Sequence, residues 1–217
     1  MILFVTVIPV MADVLFHHDS MGVSAPDAAS IYNFTTGGGV PMGYKAWGDF
    51  NLSSNSTVNS ISFRGLTLPG ATMTSVDWAL FADPSGAALY SGTTVSPTVT
   101  AAGYQIKWVF PSVTYTYDAN DYLFSVGSLN LSAGGYWLRL DNATGAGTDA
   151  YWESTQPMGG TGNGFVQNFS SGALTLTTTG FDFVYTVNGT AVPVPATMLL
   201  LAPGLAGLAA VRRRFKK

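Results

Sequence analysis

An antiparallel all-β sandwich is the fold this chain predicts, and three observations predict it. Between Asp13 and Thr190, short runs with period-two alternation of apolar residues recur, separated by Gly, Pro, Asn and Asp. Only 10% of the residues are charged while Gly, Ser, Thr and Asn abound, which suits short strands and tight turns better than solvated helices. The same span contains no amphipathic helical stretch. So many short strands need a common core and protected edges, and a two-sheet, jelly-roll-like sandwich over residues 13–190 satisfies both needs.

The elements follow in chain order. The opening "MILFVTVIPVMADV" has an unbroken apolar run from Ile2 to Val10, then Val10-Met11-Ala12, a small-residue cleavage site ahead of Asp13. Residues 1–12 therefore read as the second half of a secretory signal without its basic start; the competing reading is a buried first strand. In "SISFRGLTL" the apolar positions change phase between Phe63 and Leu66, which a bulge at Arg64-Gly65 explains. In "SVDWALF" Val76, Trp78 and Leu80 share one face, with Asp77 and Ala79 on the other. Turns are expected at Asp83-Pro84-Ser85-Gly86 and at Gly134-Gly135. "YWLRL" sets Tyr136, Leu138 and Leu140 opposite Trp137 and Arg139, and "GFDFVYTV" aligns Phe181, Phe183, Tyr185 and Val187. Each of these strands is expected to have one wet side.

Charge is distributed unevenly. Of nine basic residues, Arg212, Arg213, Arg214, Lys216 and Lys217 end the chain, leaving Lys45, Arg64, Lys107 and Arg139 against all twelve acids. A body so acidic has no electrostatic footprint for nucleic acid, which is bound through clustered Lys and Arg. The 20 residues Val192 to Val211 carry no charge, and as a helix would be about 30 Å long, the thickness of a bilayer core. Pro203 would bend that helix, Ala202, Ala206 and Ala210 give it a small face, and the basic cluster would stop it on the cytoplasmic side.

A Val-Pro-x-Pro element, a Leu/Gly/Ala-rich apolar segment and a terminal Arg/Lys cluster together resemble the PEP-CTERM sorting signal. The family's usual motif is Val-Pro-Glu-Pro; here it is Val192-Pro193-Val194-Pro195, with Val194 in place of the glutamate. The resemblance covers residues 191–217. It implies a Gram-negative bacterium, export, transient anchoring in the inner membrane, processing near the motif by an exosortase-like enzyme, and delivery to the cell surface or an exopolysaccharide matrix.

Groups for catalysis are scarce. There is no cysteine, Glu153 is the single glutamate, and the two histidines, His17 and His18, are neighbours that would face opposite ways on a strand. They read as a solvated N-terminal segment rather than as a metal site or part of a serine triad. Asp141, Asp149 and Glu153 lie in one stretch and leave a secreted carbohydrate-active enzyme as the alternative to a non-enzymatic surface protein. No cofactor is expected. Calcium is the one candidate ion, at Asp141, Asn142 and Asp149 and secondarily in "YDANDY" at Asp118, Asn120 and Asp121, although both stretches read equally as Asx turns. Five tryptophans and ten tyrosines point to polysaccharide as a partner, since an aromatic ring stacks on the apolar face of a sugar. Trp78 sits among aliphatic alternates and reads as core. Trp137, and Trp152 with Tyr151 beside the Gly-rich "MGGTGNG", either line a sugar site or fill the rest of the sandwich.

Overall fold

The computed structural model describes residues 13–18, 31–33, 44–110, 113–145, 150–155, 165–168 and 182–192. These form strands and turns and contain no helix. The strands are β1 (Asp13–His18), β2 (Ile31–Asn33), β3 (Tyr44–Leu52), β4 (Ser56–Thr67), β5 (Ser75–Phe81), β6 (Tyr90–Val95) and β7 (Thr98–Phe110). They continue with β8 (Val113–Leu131), β9 (Gly134–Thr144), β10 (Ala150–Thr155), β11 (Phe165–Asn168), β12 (Asp182–Phe183) and β13 (Tyr185–Ala191). All pairings are antiparallel and form two sheets. The smaller has five strands in the order β11-β3-β9-β5-β6. The larger has eight and is built around β4, which pairs with β8 along one side, with β7 beyond it. Along its other side β4 pairs first with β13 and then with β10.

The handover falls at Val184. Its carbonyl accepts from the Arg64 N–H at 3.1 Å and its own N–H donates to the Glu153 carbonyl at 3.0 Å, so one residue stitches β4 to β10 where the neighbouring strand changes. Strand β13 can lie this close to β4 only because position 189 is glycine. A Cβ there would sit 2.1 Å from the Thr57 carbonyl oxygen, a backbone atom with no room to yield.

The two sheets pack face to face, and the alternation expected from sequence fills the space between them. Val76, Trp78 and Leu80 from β5 and Tyr136, Leu138 and Leu140 from β9 meet Ile61 and Phe63 from β4 and Tyr185 and Val187 from β13 in one buried cluster. Phe183 joins them as anticipated; Phe181 lies outside the described residues. The turn expected at Asp83 to Gly86 is present, whereas Gly134 and Gly135 open β9, and Ser132 and Ala133 make the connection before them. Asp83 Oδ1 accepts from the Ser85 N–H at 2.8 Å, and the Gly86 N–H closes on the Asp83 carbonyl at 2.9 Å. Between β8 and β9 the Ser132 carbonyl accepts from the Tyr136 hydroxyl at 2.9 Å, next to Gly134.

Two further expectations are corrected. No bulge occurs at Arg64-Gly65, which stay in register opposite Asp121 and Asn120. The ladders of β4 with β8 and with β13 instead both slip at Asn59. Leu66 is out of phase with Phe63 because it faces outward, into a second apolar cluster with Tyr117, Ala119 and Tyr151. This is also why the strands do not each have a wet side. A third cluster, Trp47, Ala79 and Phe81 with Trp137 packed against it, covers part of the outer face of the smaller sheet. Period-two alternation reports one buried face and cannot register a strand buried locally on both.

The proposed signal segment 1–12 and, beyond Val192, the tail lie outside the described residues. Among the described residues no helix is long and apolar enough to cross a membrane.

Candidate functional site

The outer face of the five-stranded sheet carries two of the sequence-predicted residues, Trp137 and Asp141. Alternation along β9 turns Trp137, Arg139 and Asp141 outward while their neighbours enter the core. The register then sets Arg139 between Trp47 of β3 and Ala79 of β5, and Trp137 between Asp49 and Phe81. The rings of Trp47 and Phe81 meet at 4.7 Å between centroids. The Arg139 guanidinium carbon lies over both, 5.6 Å from the Trp47 ring and 5.4 Å from the Phe81 ring. A cation held against aromatic faces loses water but gains quadrupolar attraction, which favours arginine with its planar, weakly hydrated head.

One strand position away the same face is ionic. Asp141 Oδ2 is 3.5 Å from Arg139 Nε and 3.8 Å from Lys45 Nζ. Asp141 is only 3% exposed, and its Oδ1 is buried without a hydrogen-bond partner. Burial pushes the Asp141 carboxyl above its usual range, with Arg139 and Lys45 pulling the other way. Burial also pulls the Lys45 ammonium below its usual value, helped by the like charge of Arg139 and opposed by Asp141. Next to this group, Asp77 accepts from Thr93 Oγ1 at 2.5 Å and from Asn142 Nδ2 at 2.7 Å.

Two of the three calcium candidates are thus engaged elsewhere: Asp141 with two cations, Asn142 with Asp77. The third, Asp149, lies outside the described residues. "YDANDY" is neither a turn nor a convergent cluster, because it runs through the middle of β8. Asp121 there is bidentate to Arg64, at 2.8 and 3.0 Å, while Asp118 accepts from the Gly70 N–H and from Gln105. Among the described residues no three His, Asp or Glu side chains converge on a point where a metal would sit.

The three aromatic candidates do not converge either. Trp137 is partly exposed on the smaller sheet, and Tyr151 belongs to the outer cluster of the larger one. Trp152 is fully buried between the sheets, stacked on Phe183 at 4.5 Å and donating from Nε1 to the Val184 carbonyl at 2.9 Å. It therefore offers no face to a sugar, and its place in a binding site is withdrawn. Alternation explains the split, since consecutive strand residues must part company. The "MGGTGNG" loop lies outside the described residues. His17 is exposed, its Nδ1 2.6 Å from Thr186 Oγ1.

Glu153 leads to a network that sequence reasoning missed. Its carboxylate accepts from the Tyr104 hydroxyl, at 2.8 Å to Oε1 and 2.6 Å to Oε2. Arg64 Nη1 reaches the same hydroxyl at 3.3 Å, so Asp121, Arg64, Tyr104 and Glu153 form one chain on the outer face of the larger sheet. Burial alone would lower the Arg64 pKa, but the hydrogen bonds to Asp121 and Tyr104 outweigh it and hold the guanidinium more firmly charged than usual. Only the rarity of glutamate in this chain hinted at such a site; its partners are 49 and more residues away. Glu153 and Asp141 accordingly sit on opposite outer faces of the sandwich.

No protein-family model matches this chain, and neither a curated protein nor a solved structure matches it.

Proposed function

We propose that this chain is an exported, non-enzymatic protein of the cell surface or the exopolysaccharide matrix of a Gram-negative bacterium, delivered by its PEP-CTERM-like tail and able to hold polysaccharide. One observation carries the delivery part of the reading. Strand β13 stays in the ladder to its last residue, Ala191 opposite Ser56, and the Val192 N–H donates to the Asn55 carbonyl at 2.7 Å. The Val192-Pro193-Val194-Pro195 motif thus begins where the ladder ends, and among the described residues the last member of the main core cluster is Val187. A cut near the prolines would leave that core whole, as an address meant for removal requires. In this reading the sandwich is of jelly-roll type, Val192 to Val211 forms a transmembrane helix, and Arg212, Arg213, Arg214, Lys216 and Lys217 hold its end inside until an exosortase-like enzyme acts.

The tail is tested by intact-mass spectrometry of protein extracted from the surface of the native cell. A species ending near Pro195 is expected. A mature chain still ending at Lys217 would leave a permanently anchored single-pass protein.

The polysaccharide part rests on Trp137, the one partly exposed tryptophan of the aromatic and charged face. No cofactor is required. Trp137→Ala is expected to abolish most of the retardation of the protein in polysaccharide-containing gels while leaving its fold intact. Release of sugar products by the wild type would overturn the non-enzymatic reading. The enzyme alternative needs two carboxyls roughly 5–9.5 Å apart across one glycosidic bond. Asp141 and Glu153 face opposite outer sides of the sandwich and do not form such a pair, and Asp149, the third carboxyl of that alternative, lies outside the described residues.

A further inference from the structure

Strand β6 is the last strand of the five-stranded sheet, and among the described residues it pairs along one side only, with β5. The Ser96 N–H donates to the Thr74 carbonyl at 2.7 Å, in the register that sets Ser75 opposite Val95. Backbone polar groups alternate in direction along a strand, so Thr94 and Gly92 also turn theirs toward β5, while Ser91, Thr93 and Val95 turn theirs to the outer edge. Thr93 and Asp77 are then a wide pair, whose side chains approach closely, and Thr93 Oγ1 donates to Asp77 Oδ1 at 2.5 Å. All three edge residues are exposed, Val95 at 74%.

Proteins that stay monomeric guard such an edge with lysine, proline or a bulge, because an open edge templates a further strand. Strand β6 contains none of these: it reads YSGTTV, and its register with β5 is unbroken. No charged residue occurs from Pro84 to Ile106, and three exposed apolar side chains, Leu89, Val95 and Val99, lie in that stretch. Two copies of so acidic a body repel each other over most of their surface. Across β6 they meet without charge. Asp77, the carboxylate bonded to the edge strand, would stand three strand spacings, about 14 Å, from its counterpart, beyond the Debye length at physiological salt. The edge offers no charge by which to select a charged peptide, but it matches its own copy. About a two-fold axis at Thr93, Ser91 meets Val95 of the second copy and Thr93 meets Thr93, each as a narrow pair that exchanges both backbone hydrogen bonds.

We propose that β6 docks a second copy of this chain, β6 to β6 and antiparallel about Thr93, so that two five-stranded sheets join into one of ten strands. The pairing is isologous and closes at a dimer. Its two-fold axis is normal to the sheet, which keeps both outer faces on one side and the two Trp137 faces pointing the same way. The dimer does not depend on the polysaccharide reading. Where that reading holds, the dimer is bivalent toward one polymer chain, which raises retention without any new contact to sugar.

The test is sedimentation equilibrium of the full-length chain in a density-matched detergent. The wild type is expected to be a dimer at micromolar concentration. Ser91→Lys combined with Val95→Lys sets like charges opposite one another in both flanking pairs and should weaken the dimer about tenfold or more. Both side chains are exposed, so the fold should be unchanged, as circular dichroism would check. Ser91→Lys combined with Val95→Glu turns the same two pairs into opposite charges and should restore the dimer, a result that requires the antiparallel register centred on Thr93. A wild type that stays monomeric at micromolar concentration would overturn the proposal. So would a dimer of undiminished strength in Ser91→Lys/Val95→Lys, which would put the contact elsewhere in the chain, or the absence of recovery in Ser91→Lys/Val95→Glu.

Discussion

Trp152→Ala is expected to bring the domain close to unfolding. The indole stacks on Phe183 at 4.5 Å and meets Tyr185 and Phe63 edge-on at 5.4 and 6.2 Å, so its removal empties the middle of the aromatic core. Large-to-small changes of this kind cost about 3–5 kcal/mol, against a total stability of about 5–15 kcal/mol for a typical domain. A second loss adds to the cavity. The Val184 carbonyl would lose the Nε1 donor at 2.9 Å, at the residue that joins β4 to β10. Trp152→Phe separates the two effects, because it retains most of the ring packing and removes the hydrogen bond. Urea denaturation followed by far-ultraviolet circular dichroism should therefore rank the wild type above Trp152→Phe, and Trp152→Phe well above Trp152→Ala. A Trp152→Ala protein of wild-type midpoint would mean that the indole is not a core residue and would return it to the list of sugar contacts.

The second expected result is an asymmetry between two ends of one ion pair. Arg139→Met should destabilise the domain by about 2–3 kcal/mol at neutral pH, whereas Asp141→Asn should change stability by about 1 kcal/mol or less. Removing the guanidinium leaves a buried carboxylate with only Lys45, 3.8 Å away, and strips the cation from the Trp47 and Phe81 rings. Removing the carboxylate leaves two partly exposed cations that water can reach, and it also removes a group whose charge burial disfavours. The pH dependence follows from the upward shift of Asp141. A carboxyl with a raised folded-state pKa favours the fold most when protonated, below the ordinary aspartate value, and loses that contribution as pH rises through the folded value. Without Arg139 that value moves further up. The deficit of Arg139→Met should accordingly be largest at neutral pH and shrink as the solution is acidified through the raised value of Asp141, where the carboxyl takes up its proton. Paired denaturation curves of wild type and variant across this range make the measurement. A deficit independent of pH, or an Asp141→Asn cost equal to that of Arg139→Met, would show that the pair is not the source of the effect.

The inward faces of β5, β9 and β13 were legible because each strand buries one side in the main core. Val76, Trp78, Leu80, Tyr136, Leu138, Leu140, Tyr185 and Val187 all lie there, as period-two alternation requires. The same alternation said which side chains leave a strand together, and so put Trp137 and Arg139 on one face. It could not say what meets them. Trp47 and Phe81 come from strands on either side of β9, and only the register between strands sets them beside Arg139.

What the sequence determined by itself is local: the all-β class, the turn at Asp83 to Gly86, the inward phase of the core strands, and the composition of a tail that is apolar and then basic. These depend on chain neighbours, on alternation and on turn chemistry, all of which act over a few residues. Only the tertiary structure decided that Trp152 is core, that Asp141 and Glu153 face opposite sides, that "YDANDY" is mid-strand, and that Leu66 is buried on an outer face. Each of these depends on which distant strand lies alongside, as β8 does along β4 from Ser56 to Thr67. Burial and pairing at that range are properties of the packed sheets, and no stretch of neighbouring residues contains them.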